Sequence, residues 1–182
     1  MASNFIDEIS VVVVTNGEQL RDAYAVRSIC FMEENGLLAN QAFDGNDFQA
    51  THIAVYIGNE PVGASRLRWF NDFAKIERTA IRAAYRNPRI LRTCAEFVFS
   101  HVARKGYSRL VTSASERHAR VWIRLLGFER VADKPPLMTA ALEPHVELVR
   151  HLTIPNDAVT FSSPASISAR VEGAWDTPSL FG

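Results

Sequence analysis

The chain has 182 residues, of which 47% are hydrophobic and 22% charged, enough for one domain with a core plus an appendage. Its 20 basic and 20 acidic residues balance, so the molecule as a whole has no excess charge to attract nucleic acid or a membrane surface. The N-terminus has no signal-peptide pattern and no stretch could span a bilayer, which predicts a cytoplasmic protein. Cys30 and Cys94 lie in predicted helices without metal-ligand spacing, so reduced thiols and no metal are expected.

The first third of the chain predicts a strand, a long helix and a loop. Residues 9–14 are a short β-branched apolar run, typical of a buried strand. Asn16 and Gln19 have the spacing of a capping box, so we expect a helix over residues 17–34. The loop that follows, residues 37–50, carries an acidic cluster around Asp44 and Asp47.

The middle of the chain predicts a hairpin and then a strand that leads into a helix. Strands are expected over residues 51–57 and 61–70, joined by a Gly-Asn-Glu turn. A further strand over residues 75–81 ends in an arginine-rich turn, and Asn87-Pro88 begins a helix. Free N–H groups and the positive end of the helix dipole meet at this turn, which predicts a phosphate site. Four arginines are spaced to line it, the alternative being a solvated basic face: Arg82, Arg86, Arg89 and Arg92.

The remaining elements complete a mixed sheet. A helix ending at residues 105–106 is followed by a strand over 109–113, a helix over 115–126 and a strand over 128–132. Residues 137–142 are expected to pair with that last strand, and residues 144–152 to form a short helix. The order β-α-β-β-β-α-β-α-β-β predicts an α/β or α+β layer fold with helices packed on the sheet.

The C-terminal segment, residues 153–182, differs in character from the domain over residues 1–152. It is poor in charge and rich in Ser and Pro, yet it contains Phe161, Trp175, Leu180 and Phe181. We therefore expect an arm that docks on its own domain or on a neighbouring subunit, which would make a homodimer.

Three landmarks in this order carry a resemblance over residues 11–140. They are Gly63 in the strand after the hairpin, the turn Arg86-Asn87-Pro88-Arg89-Ile90-Leu91, and Leu126-Gly127-Phe128 closing the last helix. Together they resemble the GCN5-related N-acetyltransferase (GNAT) superfamily, whose turn reads R-G-x-G-x-G. The resemblance implies an acyl-CoA N-acyltransferase fold, a mixed central sheet with helices on both faces, acetyl-CoA or another acyl-CoA as donor, and a small-molecule amine as acceptor. The glycines are absent here, so arginine side chains are expected to hold more of the donor's phosphates.

The same resemblance implies roles for particular residues. It places the donor against Ile81, Arg82, Arg86, Asn87, Arg89, Ile90, Leu91 and Trp122. A backbone N–H near Ala80 would meet the thioester oxygen, and Glu77 would act as base; the alternative is that Glu77 pairs with Arg68 or Arg78. The family's tyrosine acid falls at Ile123, so His118 and Ser115, earlier in that helix, are the substitute acids.

A further set of residues resembles a sub-branch, the acyl-homoserine-lactone synthases and the N-acyl amino acid synthases, which take acyl groups from acyl carrier protein. The matching positions are Arg27, Phe31, Asp44, Asp47, Arg66 and Arg78. Lys75 departs from the pattern, and the tryptophan expected after the first helix is absent. The resemblance implies acceptor binding by this set, with the two aspartates holding an ammonium. The alternative is an Asp-Gly turn in a solvated loop.

Two other functional classes stay open at this stage. One is a GNAT-fold module that has lost catalysis and keeps a donor as ligand; the other is an interaction module that uses the aromatic arm. Donor-dependent thiol release would separate the enzyme from both. A rise in melting temperature with CoA would separate the donor-binding module from the interaction module.

Overall fold

The computed structural model describes residues 8–139 and 143–177. The strands are β1 (Ile9–Val13), β2 (Thr51–Ile57), β3 (Glu60–Trp69), β4 (Ala74–Ile81), β5 (Arg109–Ser115), β6 (Glu129–Arg130), β7 (Leu137–Met138) and β8 (Pro144–His151). The α-helices are α1 (Gly17–Arg27), α2 (Ala39–Ala42), α3 (Pro88–Arg104), α4 (Glu116–Leu126) and α5 (Ala165–Ser168). A π-helical segment, Ser28–Glu33, and two 3-10 turns, Gly45–Gln49 and Ala83–Tyr85, complete the set.

The chain forms two compact units. The first contains the described residues up to Arg66 together with Arg78–Cys94, and the second contains Leu67–Glu77 and the described residues from Ala95 onward. The strand order is β1-β2-β3-β4 in the first unit and β3-β4-β5-β8-β6 in the second, with β7 also on β8. β4 and β5 are parallel, whereas β5 and β8 are antiparallel.

The predicted mixed α/β class is confirmed, and the division into residues 1–152 and 153–182 stays a prediction.

In the first unit, α1 begins where the sequence predicted. The Gln19 N–H donates to Asn16 Oδ1 at 2.9 Å, and Gln19 Oε1 accepts the Thr15 N–H at 2.9 Å, so both ends of the cap are satisfied. The buried face of this helical run packs small side chains against the sheet: Ala23, Val26 and Cys30 with Ala54, Ala64 and Ala80.

Gly63 in β3 lies where the neighbouring strands β2 and β4 closely approach its backbone. A Cβ at this position would lie 3.1 Å from Val55 Cβ and 3.3 Å from the Ala80 carbonyl oxygen. Any side chain here would push on β2 and on the backbone of β4, which explains a glycine inside a strand.

In the second unit, two predictions were wrong. The helix predicted over residues 144–152 is replaced by the strand β8, Pro144–His151, because all seven residues of β5 pair with it and Leu148 is buried in the core. Such pairing outweighs local helix propensity. β7 pairs with β8 rather than with β6. The predicted continuation of β7, residues 140–142, lies outside the described residues.

The arm is anchored to α3 within the second unit. Trp175 is buried and stacks on His101, with the ring centroids 5.2 Å apart. Arg104 Nη2 donates to Asp176 Oδ1 at 2.7 Å, and Glu172 accepts from Lys105 at 2.8 Å. Burial raises the pKa of Glu172, but hydrogen bonds from His101 and Lys105 outweigh it and bring the pKa to about 2.

Other parts of the arm behave differently. Phe161 is fully exposed, and Leu180 and Phe181 lie outside the described residues. None of the described helices combines the length and the hydropathy that a membrane span needs.

Candidate donor turn and buried arginine cluster

The backbone of β4 is irregular at Arg78. This residue has φ +52°, the left-handed region that costs a residue with a Cβ roughly 1–2 kcal/mol. Backbone strain of this kind collects at functional sites. Arg78 lies two residues before Ala80, near which the family resemblance implies a backbone N–H that meets the thioester oxygen.

After β4 the chain turns back on the hairpin. The Arg82 N–H donates to the Val62 carbonyl at 3.0 Å, and its guanidinium donates to the Pro61 carbonyl at 3.0 Å and pairs with Glu60. Arg82 also lies over the Tyr85 ring, 5.2 Å from its centroid. This arginine, expected at the phosphates, is thus engaged by the β2–β3 hairpin.

The predicted cap of α3 is present. Asn87 Oδ1 accepts the Ile90 N–H at 3.0 Å, and the Asn87 carbonyl accepts the Leu91 N–H at 3.4 Å. Pro88 has no N–H, so only the N–H groups of Asn87 and Arg89 lack a partner within the described chain at this helix start. Asn87 therefore uses a donor that a glycine would leave open to a phosphate. Ile90 is buried in the core, and Leu91 is half-buried.

Arg86 and Arg89 differ in their surroundings. Arg86 Nε donates to the Ile81 carbonyl at 2.9 Å, and its guanidinium pairs with Glu34. The other oxygen of Glu34 accepts the Ala83 N–H at 3.0 Å. Arg89 is exposed and has no charged partner among the described residues. Glu34 lies 52 residues before Arg86 and was not among the predicted site residues.

The first unit also contains a buried arginine–aspartate cluster: Arg27, Asp44, Asp47, Arg66 and Arg78. Arg27 is fully buried and holds Asp47 with both guanidinium ends, at 2.7 and 3.1 Å. Arg66, 2% exposed, donates to Asp47 at 2.9 Å and to Asp44 at 2.8 Å. Arg78 Nη2 donates to Asp44 at 3.1 Å. The cluster has three guanidinium groups and two carboxylates, which leaves one positive charge in excess.

The surroundings of the cluster fix the charge state of its carboxylates. Burial raises the pKa of Asp47, but hydrogen bonds from Arg27 and Arg66 outweigh it and bring the pKa to about 2. Burial also raises the pKa of Asp44, but the hydrogen bonds from Arg66 outweigh it and hold that pKa well below its usual range. The Arg27 guanidinium also lies over the Phe43 ring, 4.7 Å from its centroid.

The cluster divides the predicted acceptor residues into an interior and a rim. Arg27, Asp47 and Arg66 form the interior and have their hydrogen bonds within the protein, whereas the side chains of Asp44 and Arg78 are 28% and 29% exposed. Phe31 packs against the core of α1 instead.

The remaining predicted residues belong to the second unit. Glu77 lies 3.1 Å from Lys75 and 3.8 Å from Arg68, the second contact being one of the predicted alternatives. Ser115, at the start of α4, lies with Oγ 3.0 Å from His118 Nδ1. Trp122, predicted to touch the donor, packs edge-on against Phe128 with ring centroids 5.0 Å apart.

A small hollow also lies in the second unit. It measures about 100 Å³ and is lined by α3 and the arm: Phe97, Ser100, His101, Arg104, Gly173 and Trp175. Ligand sites for molecules of drug size measure roughly 300–1,000 Å³, so this hollow is too small for a nucleotide cofactor.

Comparison with known proteins finds relatives by sequence and by structure. No family model matches the chain. The uncharacterized N-acetyltransferase YjcF of Bacillus subtilis is 28% identical over 142 residues, which cover 78% of this chain and 99% of that protein.

Solved structures share the fold at lower identity. FeeM, an N-acyl amino acid synthase from uncultured soil microbes, aligns with a TM-score of 0.65 and 12% identity over 82% of this chain and 93% of that one. A GNAT family acetyltransferase from Elizabethkingia anophelis with acetyl-CoA bound aligns with a TM-score of 0.62 and 17% identity over 80% of this chain and 99% of that one.

Proposed function

We propose that this chain is a member of the GCN5-related N-acetyltransferase superfamily and that it moves an acetyl or longer acyl group from a CoA thioester to an amine. The observation that carries the proposal is β4, which is distorted at Arg78 and leads through an arginine-rich turn into the capped start of α3. That arrangement supplies a strained strand for the thioester and an anion-binding helix start for the donor's phosphates.

For the donor we propose that the phosphates meet the N–H groups of Asn87 and Arg89 and the Arg89 guanidinium. None of these donors has a protein partner within the described residues. An acyl group delivered by acyl carrier protein would present the same phosphopantetheine arm, so acyl carrier protein is the alternative donor. The Arg86 guanidinium contributes to phosphate binding only when its ion pair with Glu34 is broken.

For the acceptor we propose the rim of the buried cluster, Asp44 and Arg78, with Arg27, Asp47 and Arg66 as positioning residues. Asp44 would attract the ammonium, and the excess positive charge would favour a carboxylate on the same molecule. This charge balance favours a second candidate function, N-acylation of an amino acid, and the fold shared with FeeM is consistent with it.

For the chemistry we propose roles residue by residue. Glu77 takes a proton from the acceptor ammonium, and the freed amine attacks the thioester carbon. The Ala80 N–H donates to the oxyanion that forms. Collapse of this intermediate breaks the carbon–sulfur bond, and the nitrogen loses its second proton to solvent to leave a neutral amide. The departing thiolate takes a proton from solvent or from the Ser115–His118 pair.

The test is the conservative variant Glu77→Gln, assayed by thiol release from acetyl-CoA with a panel of amines and amino acids. Loss of a general base should lower kcat by about a hundredfold, while CoA affinity stays near wild type. Asp72→Asn, which alters an exposed ion pair with Arg109 in the same unit, is the control and should change neither.

The outcomes separate the candidates. An equal loss of kcat and CoA affinity in Glu77→Gln would mean that Glu77 holds Lys75 and Arg68 structurally. If no amine in the panel gives thiol release, while CoA still raises the melting temperature, the result would favour a binding module.

We propose in addition that the protein acts in the cytoplasm and that the arm, residues 153–182, joins two copies. Sedimentation at several protein concentrations tests the second point. A monomer at all of them would limit the arm to its own chain.

A further inference from the structure

The donor turn already holds an anion, the carboxylate of Glu34. One oxygen accepts the Ala83 N–H at 3.0 Å, and the other meets the Arg86 guanidinium. The Glu34 side chain is 20% exposed, although it lies at the end of a surface helical segment. A main-chain N–H beside a guanidinium is the kind of donor pair with which proteins hold a phosphate oxygen.

The turn keeps its shape through contacts that do not involve Glu34. Arg86 Nε donates to the Ile81 carbonyl at 2.9 Å, and the Tyr85 N–H donates to the Arg82 carbonyl at 2.8 Å. On the other side, Arg82 pairs with Glu60 and donates to the Pro61 carbonyl. Removing the charge of Glu34 should therefore leave Arg86 and the Ala83 N–H in place.

We infer that Glu34 is an internal competitor for one anion subsite of the donor turn, and that a donor phosphate binds this subsite by displacing it. The subsite consists of the Ala83 N–H and the Arg86 guanidinium. While Glu34 occupies it, the charge of Arg86 is neutralised, and a carboxylate repels any phosphate nearby. The inference rests on the proposed function, since it needs a donor with phosphates.

The test measures CoA affinity by titration calorimetry in Glu34→Gln and in the matched control Glu33→Gln. Glu33 is the preceding exposed residue, so the control removes the same charge from the same segment. Partly exposed charges interact weakly, so Glu34→Gln should bind CoA about three- to fivefold more tightly. Glu33→Gln should stay near wild type. S-acetylpantetheine, which has no phosphate, should bind both variants and the wild type equally.

A second measurement uses Arg86→Ala in both backgrounds. Because Glu34 neutralises Arg86 in the wild type, removing Arg86 should cost more CoA affinity in Glu34→Gln than in the wild-type chain. Equal costs in the two backgrounds would overturn the competition between Glu34 and the donor.

The sign of the main effect decides between competitor and scaffold. If Glu34→Gln binds CoA as weakly as the wild type, or more weakly, Glu34 merely supports the turn and the inference is wrong, while the proposed function stands. An equal gain for S-acetylpantetheine would also overturn it, because the effect would not involve phosphate. If neither protein binds CoA and the wild type releases no thiol from acetyl-CoA, the proposed function fails with it.

Discussion

Two groups of arginines in the first unit show how differently the same side chain can be used. Arg27 and Arg66 are buried, and both form ion pairs with the buried carboxylate of Asp47. Arg86 and Arg89 lie on the exposed donor turn, one paired with Glu34 and the other open to solvent. A buried charge must be paired to exist at all, whereas an exposed charge can exchange partners at little cost. The first group therefore holds the structure, and the second is available to a ligand.

The largest expected effect breaks the buried group. Asp47→Ala leaves the buried Arg27 without a carboxylate partner and Arg66 with only Asp44. This loss should lower the free energy of unfolding by about 3–5 kcal/mol. Urea unfolding followed by circular dichroism measures it. Glu18→Gln, at an exposed pair with Arg21, is the control and should change stability by less than about 1 kcal/mol. A small loss in Asp47→Ala would show that the cluster is hydrated and not structural.

The next effect concerns acid. The pKa of Asp47 is about 2 in the folded chain, below its unfolded value near 4. Its contribution is therefore complete above pH 4 and is lost as the pH falls toward 2. The wild type should lose about 2 kcal/mol more than Asp47→Asn over that interval. Parallel curves for the two proteins from pH 5 to 2 would contradict this.

A smaller effect tests the exposed group. Arg89→Ala removes a guanidinium that has no protein partner at the helix start, so CoA affinity should fall about tenfold, and the melting temperature should stay near wild type. Arg92→Ala, one turn further along α3, should have a weaker effect on binding. If the two variants bind CoA equally, the phosphates do not lie at the start of α3.

The smallest effect is expected at the N-cap of α3, residue Asn87. Asn87→Gly removes the side-chain acceptor of the Ile90 N–H and should cost only a few tenths of a kcal/mol, since glycine is tolerated at an N-cap. The freed N–H becomes available to a phosphate, so CoA affinity should hold or rise. A clear fall in affinity would mean that the Asn87 side chain itself contacts the donor.

Local signals predicted the local structure well. The caps at Asn16 and Asn87 depend on residues three positions apart, and such spacing is readable in a sequence. The strand β8 was predicted as a helix because its stability comes from β5, about thirty residues earlier. Pairing of that kind leaves no periodic signal in either segment alone.

The site was predictable in outline but not in its partners. The resemblance singled out Arg27, Asp47 and Arg66, yet only the folded chain shows that they are buried against one another. The contact between Glu34 and Arg86 spans 52 residues of sequence. A charged residue at the end of a helix is ordinarily a surface residue, so no pattern marks it in advance.

The left-handed Arg78 in β4 has a consequence for which substitutions this position tolerates. Glycine and asparagine adopt that backbone readily, whereas valine, isoleucine and threonine resist it. In a saturation library, selection for folding alone should enrich the first two and exclude the last three. Selection for activity should instead retain arginine, because only its guanidinium also reaches Asp44. Position 78 would thus separate the demands of the backbone from those of the side chain.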